Sequence, residues 1–134
     1  MICKIDHIGI AVKSIDKALE FYNKQMGLNC EGTEYIKTQE VRVAFLPIGD
    51  SEIELLEPTG EKSAVTRFIE KRGEGIHHIA FRVSNVEEEI ERLKGLGIQF
   101  IDETPSYGAG GASIAFIHPK STGGVLVELC ERQV

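Results

Sequence analysis

The sequence predicts an α+β fold built from two tandem βαβββ modules. Three observations carry that expectation. An apolar strand pattern with His at its second position occurs twice, as Asp-His-Ile-Gly-Ile-Ala-Val at 6–12 and His-His-Ile-Ala-Phe-Arg-Val at 77–83. Each half closes on a Glu in a similar strand, Glu54 in Glu-Ile-Glu-Leu-Leu-Glu and Glu128 in Val-Leu-Val-Glu-Leu-Cys-Glu. His7 and His78 lie 71 residues apart, Phe45 and Phe116 also 71, and Glu54 and Glu128 lie 74 apart. The halves therefore match with one small insertion or deletion, the signature of an internal repeat.

The elements follow in order. A first strand over 3–12 puts Ile5, His7, Gly9 and Ala11 on one face and Asp6, Ile8, Ile10 and Val12 on the other. Ser14 is placed to cap a helix, in which Ile15, Ala18, Leu19, Tyr22 and Met26 recur at helical spacing and Gly27 marks the exit. Strands are expected over 30–35, 41–47 and 52–57, the last two joined through Gly49-Asp50-Ser51 and the last stopped by Pro58. In the connector, residues 59–75, Val65, Phe68 and Ile69 predict a short amphipathic helix that ends at Gly73-Glu74-Gly75. The second module repeats the order with a strand over 77–83 and Asn85 as the helix cap. Glu88, three residues on, completes a capping-box pattern. Val86, Ile90 and Leu93 form the buried stripe, Gly97 parallels Gly27, and strands follow over 98–102, 113–118 and 125–130. One domain results, with modules at about 1–58 and 76–134.

Composition restricts the function classes. A chain of 134 residues, 42% hydrophobic and 27% charged, matches one soluble globular domain. Its net charge of −6 argues against a nucleic-acid partner, which calls for clustered Lys and Arg. No apolar run reaches the ~20 residues needed to span a bilayer, and the first residues lack the pattern of a secretory signal. A soluble, cytoplasmic protein without a membrane partner is expected. Cys3, Cys30 and Cys130 are odd in number and lack CxxC spacing, so they indicate neither a disulfide framework nor a thiolate zinc site.

The repeat selects the chemistry-bearing residues. A lone His at a strand start is usually structural, and a Glu on a strand usually faces water. Glu54 and Glu128, however, stand inside apolar runs, where a buried carboxylate is costly unless it meets a cation. Together with His7 and His78 they form two His and two carboxylates at repeat-related positions, the composition of one divalent metal site. Alternation sends His77 to the opposite face from His78, where a structural or surface role is expected. Imidazole and carboxylate without thiolate suit Zn, Co, Ni, Mn or Fe, with positions left open for water or substrate. Glu57 and Glu131, three residues beyond the Glu ligands, face the other side and are expected to be solvated or salt-bridged. Gly108-Ala109-Gly110-Gly111 lacks the spacing of a P-loop or a dinucleotide fingerprint. It reads as a loop flanking a pocket-lining strand.

With these motifs in place, the chain resembles the vicinal oxygen chelate superfamily, and within it the methylmalonyl-CoA epimerases. The likeness runs over almost the whole chain: Asp-His-Ile-Gly-Ile-Ala-Val, Glu-Ile-Glu-Leu-Leu-Glu-Pro, and Gly-Ile-His-His-Ile-Ala-Phe-Arg-Val. It continues through Gly108-Ala109-Gly110-Gly111, Phe116-Ile117-His118-Pro119-Lys120 and Gly123-Gly124-Val125-Leu126-Val127-Glu128-Leu129. The resemblance implies a glyoxalase-like fold, a curved mixed sheet around a metal-binding cleft. It places one divalent ion on His7, Glu54, His78 and Glu128, although some relatives carry Gln where Glu54 stands. The implied reaction interconverts (2R)- and (2S)-methylmalonyl-CoA by α-proton abstraction through a metal-stabilised enediolate. The substrate would thus be an acyl-CoA thioester, and the protein a homodimer. Glu128 would serve as one acid/base group. The family's second base falls at Thr38 in this chain, and Glu40, two residues on and on the same face of an extended segment, would take that role.

Two alternatives share the scaffold. Glyoxalase I (lactoylglutathione lyase) resembles the chain in its fold and His/Glu/His/Glu set and isomerises a hemithioacetal. A sequestering protein of the bleomycin-resistance type would bind a small molecule without catalysis and would not need four metal-type ligands. A ring-cleaving dioxygenase would use two His and one carboxylate on Fe(II), one protein ligand fewer than this chain offers.

Overall fold

A computed structural model describes residues 1–133 and divides the chain into two compact units. One is His7–His77; the other joins Met1–Asp6 to His78–Val134. The division falls inside two strands, and the connector belongs with the first unit.

In the first unit the strand order is β2-β3-β4-β1, from β1 (Ile2–Ala11), β2 (Thr33–Ile36), β3 (Val41–Ile48) and β4 (Ser51–Pro58). β3 and β4 form an antiparallel hairpin that sets Phe45 opposite Glu54. β1 runs parallel to β4 with Gly9 opposite Glu54. Val12, Ile15, Ala44, Leu46 and Leu55 make the core, joined by Ala18, Leu19 and Tyr22. The Ser14 hydroxyl caps helix α1 by accepting from the Lys17 amide at 3.2 Å. That helix is shorter than the periodicity predicts. Ile15–Leu19 is α-helical, but Glu20–Gln25 is a π turn, with the Met26 amide donating to Phe21 O at 2.8 Å. The wider turn slips the side-chain register by about one residue, which lets Tyr22 pack into the core while Phe21 meets its ring edge-on at the surface. The connector carries α2 (Ala64–Arg72), the short helix that Val65, Phe68 and Ile69 predict, and Ser63 caps it.

The second unit repeats the topology as β5-β8-β7-β6, from β5 (Gly75–Val83), β6 (Ser106–Tyr107), β7 (Ser113–Ile117) and β8 (Val127–Glu131). β5 is parallel to β8, with Ala80 opposite Glu128. β7 is antiparallel to β8, with Phe116 opposite Glu128. Helix α3 (Val86–Gly95) starts at Asn85, whose side chain accepts from the Glu88 amide at 3.0 Å. Val86 and Ile90 pack against Val83, Ala115, Ile117 and Leu129, with Leu93 at the margin. The strand expected over 98–102 is not one: only an isolated bridge, Phe100 to Ile117, forms there. Ile98 and Phe100 still pack inward, but Ile101 is exposed. The following Asp-Glu-Thr-Pro lacks apolar residues to bury, and Pro105 has no amide for a ladder. Pairing resumes only as the two-residue β6. The strand expected from 125 likewise begins at Val127, after Gly123 and Gly124 with φ of +72° and +98°.

Candidate metal centre

Each unit brings one imidazole and one carboxylate together by the same register. In the first, Gly9 pairs with Glu54, so His7, two residues back along β1, shares a face with that carboxylate. His7 Nδ1 lies 3.4 Å from Glu54 Oε2. In the second, Ala80 pairs with Glu128 and His78 stands two residues back along β5. His78 Nε2 lies 3.2 Å from Glu128 Oε1. All four residues are at most 5% exposed. The His78 ring meets Phe116 edge-on at 5.6 Å, so the residue opposite Glu128 also walls the imidazole. A carboxylate taken out of water is costly unless it meets a cation or a donor, and both carboxylates here stand beside an imidazole. This donor chemistry fits a divalent ion of the borderline class.

The other acids divide clearly. Glu57 Oε1 accepts the Ile15 amide at 2.7 Å and Glu131 Oε1 accepts the Val86 amide at 2.8 Å. Each therefore satisfies the first amide of its unit's helix. Glu57 also pairs with Arg42 at 3.6 Å, so the salt-bridging expectation holds there, but the helix amide is the shorter contact. The i+3 relation of these residues to Glu54 and Glu128 was the sequence signal for this repeated device. His77 stacks edge-on against Phe68 of α2 at 5.1 Å, a structural contact as expected.

The segment around Glu40 is not extended, so placing it by strand alternation fails. Lys37–Gln39 form a 3₁₀ turn and Glu40 adopts φ 48°, ψ 54°. It is the only non-glycine residue with positive φ among those described. Its carboxylate lies over the α-carbon of Gly60, where a Cβ would come within 1.9 Å of Oε1. Thr38 is exposed.

Sequence reasoning missed Asp6. Alternation placed it on the face opposite His7, yet both residues are buried. Asp6 receives Arg82 Nε at 2.5 Å and Arg132 Nε and Nη2 at 3.0 and 2.9 Å. Its partners are 76 and 126 residues away, so no local pattern announces them. The first unit also has a groove of about 620 Å³ lined by Lys13, Ser14, Lys17, Phe21 and Tyr22, among others, and it contains none of the candidate ligands.

Two βαβββ units, each with a buried His–Glu pair, define a glyoxalase-like protein. The chain belongs to the glyoxalase/bleomycin resistance protein/dioxygenase superfamily, whose family model matches residues 6–116. Its named relatives include methylmalonyl-CoA epimerases. The ethylmalonyl-CoA/methylmalonyl-CoA epimerase of Cereibacter sphaeroides is 35% identical over 96% of this chain and 98% of its own. A solved methylmalonyl-CoA epimerase in complex with methylmalonyl-CoA and NH4+ superposes with a TM-score of 0.95 at 39% identity, covering 100% of this chain and 97% of that one. An uncharacterized Bacillus subtilis protein, YqjC, is 47% identical over 96% of this chain and 91% of its own. Among the described residues no helix is long and apolar enough to cross a membrane.

Proposed function

We propose that this chain is a metal-dependent isomerase that epimerises (2R)- and (2S)-methylmalonyl-CoA. The observation that carries the reading is the repeated, buried His–Glu pair. Two carboxylates supply two negative charges, matched to one divalent ion that His7, Glu54, His78 and Glu128 would hold. Such an ion supplies Lewis-acid stabilisation of the negative charge left when an α-proton is removed. The epimerase relatives, one of them solved with methylmalonyl-CoA, favour a CoA thioester over a glutathione adduct.

Inversion at carbon needs a proton removed on one face and returned on the other. Glu128 is assigned one of these transfers and Glu40 the second. The support for Glu40 is its backbone. A left-handed conformation costs a residue with a side chain about 1–3 kcal/mol and is kept where the surroundings enforce it, often at functional sites. The Glu40 amide donates to Lys37 O at 3.2 Å and its carbonyl accepts the Thr59 amide at 2.8 Å, which hold this backbone, and Gly60 leaves room for the carboxylate.

The decisive experiment follows loss of α-deuterium from labelled methylmalonyl-CoA, with Co, Zn, Ni, Mn and Fe supplied in turn. Exchange with inversion is expected. Turnover of a glutathione hemithioacetal without exchange would replace this reading with that of a lactoylglutathione lyase. Neither activity, with no stoichiometric metal, would indicate a sequestering protein. A homodimer is the expected assembly, tested by light scattering on the purified protein.

A further inference from the structure

The second unit holds a charge cluster that the proposed metal site does not use. Asp6, 1% exposed at its side chain, is shared by two guanidiniums. Arg132 binds both of its oxygens through Nε and Nη2, and spends Nη1 on Ala109 O at 3.1 Å. Arg132 thereby anchors the Gly108-Ala109-Gly110-Gly111 loop, and Gly110 leaves room for it: a Cβ there would stand 2.8 Å from Nη1. Arg82 is engaged differently. Only its Nε reaches Asp6, and among the described residues its two Nη groups donate to nothing. The Arg82 side chain is 30% exposed. Two guanidiniums on one carboxylate leave a net charge of +1, in a chain whose overall charge is −6.

The position of this charge is informative. His78, Ala80 and Arg82 alternate onto one face of β5, and Glu128 and Cys130 onto the same face of β8, because Ala80 pairs with Glu128 and Arg82 with Cys130. Arg82 lies four residue steps along the strand from His78, about 13 Å of backbone. A ligand whose reacting end lies at the His78–Glu128 pair and which extends along this face meets Arg82 next. A guanidinium with two free parallel donors matches the oxygens of a phosphate.

We infer that Arg82, held by Asp6, is an anion subsite that receives a phosphate of the CoA moiety. This rests on the acyl-CoA reading given above and deepens it. A net-negative protein binding a polyanionic thioester needs a local positive group away from the reacting carbon, and Arg82 supplies one on the face that carries His78 and Glu128. Asp6 is a positioning residue: it fixes the guanidinium plane and prevents the two arginines from repelling each other.

The test is calorimetric titration of the whole protein with coenzyme A itself, which has phosphates but no acyl carboxylate and requires no turnover. R82Q is expected to weaken binding about tenfold or more, the size of a lost charge-assisted contact. R82K, which keeps the charge without the paired donors, should fall between, and the exposed R67Q should bind as the parent does. Equal affinity of R82Q and parent, or no binding of coenzyme A by the parent, overturns the subsite. A thermal melt of each variant checks the fold, since Asp6 keeps Arg132 in R82Q. Epimerisation is assayed separately. Arg82-dependent binding without epimerisation removes the proposed reaction and keeps the subsite, whereas epimerisation without Arg82 dependence does the reverse.

Discussion

The carboxylate of Glu57 accepts the backbone amide of Ile15 at 2.7 Å, and the repeat copies the bond as Glu131 to Val86 at 2.8 Å. The first amides of a helix lack partners within it, and a carboxylate there also meets the positive end of the helix dipole. The five-residue α1 has few bonds of its own, so it relies on this contact more than α3 does. Glu57→Ala and Glu131→Ala should each cost about 1–2 kcal/mol in urea unfolding, with metal content unchanged. Loss of metal in either variant would show that these residues act on the Glu54 or Glu128 strand rather than on the helix.

Metal content tests the paired ligands directly. His78→Ala and Glu128→Ala each remove one donor of a buried pair, and elemental analysis should show bound metal falling well below one equivalent. Chelation of the parent should abolish epimerisation and lower the melting temperature, since an ion bound only by the folded state stabilises it by mass action. His77→Ala is the control: it loses the ring contact with Phe68 and should keep its metal. Full occupancy in Glu128→Ala would remove that residue from the ligand set.

How much of this was legible in the sequence follows from the range of the interactions. The α3 cap at Asn85, the stripe of Val86, Ile90 and Leu93, and the equivalence of Phe45 and Phe116 all arise from local period or repetition, whereas the pairing of those rings with Glu54 and Glu128 is set by strand register. The strand expected at 98–102 failed because alternation continued for only two inward residues before a charged, proline-ended run. The π turn at Glu20–Gln25 keeps helical spacing in the sequence while altering the bonding. Asp6 was invisible because its meaning lies in Arg82 and Arg132, which only folding brings to it.

Gly60→Ala separates the placement of Glu40 from its chemistry. The added Cβ collides with the carboxylate tip, the flexible end of a side chain, so the fold should survive while Glu40 is displaced. Glu40→Gln should lower the epimerisation rate by about 10²-fold or more, the usual share of one acid/base group. Gly60→Ala should lower kcat by a smaller factor, with metal content and KM little changed. Parent-like exchange rates in both variants would remove Glu40 from the mechanism.

The acid limb of the stability curve should depend on Glu89. The buried Glu89 carboxylate accepts Arg92 Nε at 3.0 and 3.1 Å, and this hydrogen bond holds its pKa below the ordinary glutamate value against the opposing effect of burial. A carboxyl group whose pKa is lower folded than unfolded binds more protons in the unfolded chain. Its contribution is therefore complete at neutral pH, begins to fade as pH falls through the ordinary glutamate value, and is lost below the depressed folded value. Removing the charge with Glu89→Gln should lower stability at pH 7 and converge on the parent at the acid end of the curve. Arg92→Met should be the more damaging change at neutral pH, because it leaves a buried carboxylate without its principal donor. The deficit should shrink on acidification, when protonation removes that charge. Urea midpoints measured from pH 3 to 7 on the three proteins decide it, and parallel curves would show that the Glu89–Arg92 pair does not shape acid stability.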